Sequence, residues 1–131
     1  MTLLSILGIG GRAARHMPTV LTAASVILSA DHRNQETGDV HAHTWKITAW
    51  VARQNYKTPN ATYLQHWMEK WREPLSGKCL PDKIAWGENI ATDMAGWLSQ
   101  DIGREEHCPM FDVRAVLVER DEEGLSAAWL A

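Results

Sequence analysis

The stretch 31–45, DHRNQETGDVHAHTW, places His32, His41 and His43 within a dozen positions of one another. His41 and His43 flank a single alanine, and on an extended chain residues two apart project to the same side. His32 ends the preceding apolar run on the even-numbered face, with Val26 and Leu28. A tight antiparallel connection brings it back beside the other two. Three neutral imidazoles without a fourth protein ligand suit zinc with one coordination position open, the arrangement of catalytic centres. The plainer alternative is three separate strand-end histidines, since H-x-H is a short and common pattern.

A second residue of interest is Glu119. In MFDVRAVLVER, 110–120, the odd positions Phe111, Val113, Ala115 and Leu117 are apolar, and the same alternation carries Glu119. A carboxylate on a buried face is costly unless it is paired. Glu119 is therefore either solvated at a strand end or an anchor for a ligand edge with two N–H donors.

These residues need elements to hold them. PTVLTAASVILSA, 18–30, is rich in β-branched and small residues and reads as a strand. HAHTWKITAWVAR, 41–53, is a second strand with His41, His43, Trp45, Ile47 and Val51 on one face. Leu64, Trp67, Met68 and Trp71 fall at helical spacing and predict a helix over Ala61–Arg72, with Asn60 as N-cap and Pro74 as stop. A second helix is expected from about Glu88 to Ile102, with Ile90, Met94, Trp97 and Leu98 on its stripe and Gly103 just past its end. The strand 110–120 and a short strand in LSAAWL follow. The order predicts an α+β fold, an antiparallel sheet with two helices on one face.

Composition narrows the functional classes. A chain of 131 residues that is 45% hydrophobic suits one domain, without repeats or linkers. A net charge of −3 gives no case for nucleic acid or an acidic membrane surface. Two cysteines are too few for a disulfide framework, so a reducing cytoplasm is the expected location. No apolar run is long enough to span a bilayer. Seven tryptophans fit core and subunit contacts.

The order SADHR, HAHTWKITAWV, ENIATDMAGWL and VLVER resembles the 6-pyruvoyl-tetrahydropterin synthase and 6-carboxytetrahydropterin synthase family, which shows an A-x-H, an H-G-H opening a strand, a P-T-x-E-N helix start and a late Glu-Thr. The similarity runs from about Met17 to the C-terminus. Residues 1–16 are accordingly expected to be an extension before a single domain, 17–131. The resemblance implies a T-fold whose subunits assemble around a β-barrel as a trimer or hexamer. It implies zinc on His32, His41 and His43. It also implies a pterin held by Glu119, with Glu88 retained from the helix-start motif, and a lyase acting on dihydroneopterin triphosphate or a related pterin.

The departures from the family pattern concern proton transfer. Thr37 stands where the family places a cysteine, and Ser76 and Gly77 stand where it has an Asp-His pair. AWG, 85–87, replaces the threonines before Glu88. Glu36 and Asp39, beside Thr37, are the candidate replacement bases, and one branch of the family uses a loop glutamate to form 6-hydroxymethyl-dihydropterin. The competing account is a zinc- and pterin-binding homologue that has lost the reaction. Cys79, His66 and His107 are the remaining chemically capable side chains. Solvent exposure is expected for His66 and a small buried role for Cys79.

Overall fold

The computed structural model describes residues 20–52, 61–105 and 110–131. The expected extension 1–16, the start of the first expected strand, Asn60 and His107 lie outside the described residues. Two thirteen-residue strands, β1 (Leu21–Arg33) and β2 (Val40–Ala52), pair antiparallel without a break from Leu21↔Ala52 to Arg33↔Val40. The first of these runs three residues past Ala30, because Asp31, His32 and Arg33 pair with Ala42, His41 and Val40. Asn34 closes the hairpin. Its N–H donates to the Asp39 carbonyl at 2.8 Å, and its Oδ1 accepts the Glu36 N–H at 2.9 Å. Gly38 turns the chain at φ +74°, a conformation open to glycine at little cost.

Helix α1 (Ala61–Arg72) buries Leu64, Trp67, Met68 and Trp71, the row that helical spacing predicts. Burial of each such side chain stabilises the fold by about 1.5–3 kcal/mol. After α1 the segment 77–80 runs along the outer edge of β1. Gly77 N–H donates to Ser29 O at 2.8 Å, Asp31 N–H to Lys78 O at 2.9 Å, and Leu80 N–H to Asp31 O at 2.7 Å. A single 3-10 turn, Asp82–Ile84, leads into α2 (Gly87–Gly96).

The expected uninterrupted helix to Ile102 is corrected here. A π-helical turn, Trp97–Asp101, follows α2, and a last α turn, Ile102–Glu105, takes in Gly103. Long-range contacts account for the widened turn. The Leu98 carbonyl accepts the Phe111 N–H at 3.0 Å, and Trp97 Nε1 donates to the Trp67 carbonyl at 2.8 Å.

Strands β3 (Asp112–Arg120) and β4 (Leu125–Leu130) complete an antiparallel sheet of order β1-β2-β3-β4. The helices cover one face. On that face lie Val26 and Leu28 of β1 and Trp45, Ile47, Ala49 and Val51 of β2, all buried. In β3 the alternation predicted from sequence is broken. Val51 pairs with Val113 but Trp50 pairs with Ala115, so Arg114 is an extra residue. From there Val116 and Val118 take the core positions, opposite Ala49 and Ile47. Leu117 and Glu119 therefore face away from the helices. Glu119 lies opposite Lys46, half-buried rather than in the apolar core.

Candidate metal centre

Register puts the three histidines together. His32, next to the end of β1, lies directly across from His41, and His43 lies two residues further along β2, opposite Ala30. Their ring centroids form a near-equilateral triangle with sides of 4.5, 4.5 and 4.6 Å. One ligand atom from each lies within 4.8 Å of the others. The Nε2 atoms of His32 and His41 are 3.0 Å apart. A tetrahedral zinc site with Zn–N bonds of about 2.05 Å holds its nitrogens about 3.3 Å apart.

The other ring nitrogens decide the protonation pattern. His32 Nδ1 donates to the Ala85 carbonyl at 3.1 Å. His41 Nδ1 lies 3.5 Å from Asp39 Oδ2, and His43 Nδ1 lies 3.3 Å from Glu123 Oε1. Each of these partners accepts a proton and, as a carbonyl or ionised carboxylate, has none to donate. His32 therefore carries its hydrogen on Nδ1 and leaves a lone pair on Nε2, and the carboxylates near the other two Nδ1 atoms favour the same tautomer there. Two lone pairs 3.0 Å apart repel unless a cation or a proton sits between them. The third, His43 Nε2, is buried without a hydrogen-bond partner. A divalent cation among the three nitrogens satisfies all of them at once, so the residues present fit a metal. Acceptors behind metal-binding imidazoles fix tautomer and ring orientation in this way.

Electrostatics favour the neutral form. Burial holds His32 below the ordinary histidine pKa; the hydrogen bond to Ala85 opposes this, and the charges of His41 and Arg120 add to the lowering. Burial also lowers His43, followed by Arg120, His32 and His41, with Glu123 opposing. An imidazole kept unprotonated at neutral pH is ready to ligate a metal.

Beside the histidines is a cavity of about 190 Å³. Trp45 and Val118 lie at its inner side, and Trp86, Glu88, Arg120 and Leu125 also line it. Trp86 stands 5.7 Å from the His32 ring and Trp45 5.6 Å from the His43 ring, so cavity and triad adjoin.

The other candidates are placed differently. Asp39 joins the cluster through His41, exposed on the hairpin. Glu36 is exposed on the same turn, and its carboxylate has no ion pair among the described residues. Glu88 lies in the first turn of α2 on the cavity wall. Glu119 is on the opposite face of the sheet from the triad. Gly77 and Ser76 occupy the turn after α1, with neither side chain able to shuttle a proton. Cys79 is exposed beside Asp31 on the outer edge of β1, a correction to its expected buried role. His66 is exposed on α1, as its position off the apolar stripe predicts. Sequence reasoning missed Glu123 and Arg120. Both depend on the turn Asp121–Glu123 after β3, and the only linear signal was the charged run RDEE.

No protein-family model matches the chain, and none of the curated proteins does. Among solved structures it is similar to Caenorhabditis elegans 6-pyruvoyl tetrahydropterin synthase, with a TM-score of 0.64 and 14% identity over 88% of this chain and 97% of that one. The β1-β2-β3-β4 sheet with its one-sided helices is thus the T-fold of that synthase.

Proposed function

We propose that this chain is a zinc-dependent lyase acting on a pterin, with His32, His41 and His43 as the metal ligands. The observation that carries the reading is the convergence of three imidazoles, one ligand nitrogen from each within 4.8 Å of the others, while each Nδ1 faces an acceptor. When bound, zinc supplies Lewis-acid polarisation of a substrate oxygen, which acidifies the neighbouring C–H. The chain's own residues do the rest. Asp39 and Glu123 orient imidazoles, and the apolar walls of the cavity exclude water from one side of a flat ligand. Glu88 offers a carboxylate to ligand N–H groups from that wall. Glu119, facing away from the triad of its own chain, serves as a pterin anchor only in a site completed by another copy. That placement supports a homo-oligomer, a trimer or hexamer around a barrel. No described helix is long and apolar enough to cross a membrane. The two cysteines, too few for a disulfide framework, favour the cytoplasm.

Proton transfer is assigned to the hairpin carboxylates, Asp39 before Glu36, because Asp39 already reaches a ligand histidine. A second reading, a binder without turnover, is favoured by Thr37, Ser76 and Gly77, none of which can act as a base at neutral pH. Metal analysis of the purified protein is expected to give about one zinc per chain, as three converging imidazoles require, and His41→Ala to lose it. Retention of zinc by that variant removes both readings. Incubation of the zinc-loaded chain with dihydroneopterin triphosphate, with products identified by mass, then separates them: turnover supports the lyase, whereas a pterin that binds without conversion supports the binder.

A further inference from the structure

Arg120 stands out among the charged side chains near the cavity. The bulge at Arg114 turns it, with Val116 and Val118, toward the helix-covered side of the sheet. Its side chain is only 19% exposed. Its ion-pair partner among the described residues is Glu123, whose Oε2 lies 3.6 Å from Arg120 Nε, beyond hydrogen-bonding distance. That same Glu123 is shared with His43 Nδ1 at 3.3 Å. The terminal guanidinium nitrogens make no hydrogen bond among the described residues. Most of the side chain is withdrawn from solvent, and its guanidinium fork, unspent on protein acceptors among the described residues, is left for whatever enters the cavity that Arg120 lines. A planar guanidinium in that state matches the two oxygens of a carboxylate or phosphate.

The surroundings agree with an anionic group on an otherwise flat, apolar ligand. Trp86 and Leu125, 42% and 53% exposed, supply apolar walls. The start of α2 on the same cavity has no side-chain cap at Trp86, which leaves first-turn N–H groups without an intrahelical partner. One feature runs the other way. Glu88 on the wall repels an anion, so it sets the strength of the site without supplying it.

We propose that Arg120 forms an anion subsite beside the histidine triad, which takes a carboxylate or phosphate carried by the ligand of this cavity. It rests on the proposed function only in taking the ligand to sit beside the histidines. Binding of inorganic phosphate and, separately, of acetate to the full chain as purified, followed by tryptophan fluorescence and calorimetry, tests it. Saturable binding is expected for the wild type, weakened about tenfold or more in Arg120→Gln and less in Arg120→Lys, which keeps the charge but not the fork. Glu88→Gln is expected to bind the anion more tightly than the wild type. Circular dichroism and zinc content, unchanged across the variants, establish that the fold and the triad are intact. Preference for phosphate identifies a phosphoryl group on the ligand, and preference for acetate a carboxylate. Equal affinity in wild type and Arg120→Gln, or no saturable binding of either anion by the wild type, overturns the subsite. A chain that binds anions through Arg120 but neither holds zinc nor converts a pterin leaves the subsite standing and removes the lyase.

Discussion

The β1–β2 hairpin and the β2–β3 pair use the same central strand in opposite ways. Between β1 and β2 every residue from Leu21 to Arg33 has its partner, and the side-chain alternation stays in phase for the whole length. Between β2 and β3 the phase slips at Arg114. The regular pair delivers His32, His41 and His43 to a single point. The bulged pair puts Arg120 on the histidine side and sends Glu119 to the bare face. A single inserted residue therefore decides which of two adjacent charged side chains adjoins the triad and which serves the other surface. An unbroken ladder carries a pattern faithfully, and a bulge rewrites it from that point on.

Placing a charge on the core phase of β3 is the most drastic way to break this contrast. Val118→Glu sets a carboxylate opposite Ile47 in the core, at the phase the bulge creates. A loss of more than about 4 kcal/mol is expected, seen as failure to show a cooperative denaturant transition, whereas Leu117→Glu, one residue earlier on the other face, costs far less. Equal losses in the two variants would show that the phase of β3 does not matter.

A milder test acts at the junction of the two pairs. Glu123→Gln removes the carboxylate behind His43 Nδ1 while keeping its size, and a loss of about 10–100-fold in zinc affinity is expected by competition with a chelator. The triad itself, anchored in the regular pair, should keep its stoichiometry. Unchanged affinity would mean that the hairpin alone orients His43.

The smallest effect is one of pH on the metal-free protein. The folded-state pKa values of His32 and His43 lie below the ordinary 6.5, so the unfolded chain binds protons first as pH falls. Stability is then full above about 6.5 and declines as pH drops through that value toward the lowered pKa values. Denaturant midpoints measured from pH 8 to pH 5 should fall on the acid side; a flat profile contradicts the burial of these imidazoles.

Particular residues show how far the chain could be read in advance. His32, His41 and His43 were legible because their convergence needs only a two-residue period and one short hairpin. Leu64, Trp67, Met68 and Trp71 were legible because helical spacing is local. The π turn at Trp97–Asp101 was not, since it depends on Phe111 bonding to Leu98 across the fold. Glu119 was assigned to the buried face because apolar residues occur at both phases of β3, and nothing local marks Arg114 as the extra residue. Glu123 and Arg120 reach the triad only through a bulge followed by a tight turn, so their role is a property of register and not of composition. The three-imidazole donor set was legible, whereas the acceptors behind the rings required coordinates.

The segment 77–80 also bears on how copies of this chain could meet in the proposed oligomer. Together with Gln65, whose amide donates to the Ser25 carbonyl at 3.0 Å, it seals the outer margin of β1 at Ser25, Ser29 and Asp31. Among the described residues, what remains for strand addition is β4 at one margin and the first residues of β1 at the other. Two copies joined margin to margin would therefore meet with a stagger along the strands, and stagger is what tilts strands against the axis when a sheet closes into a ring.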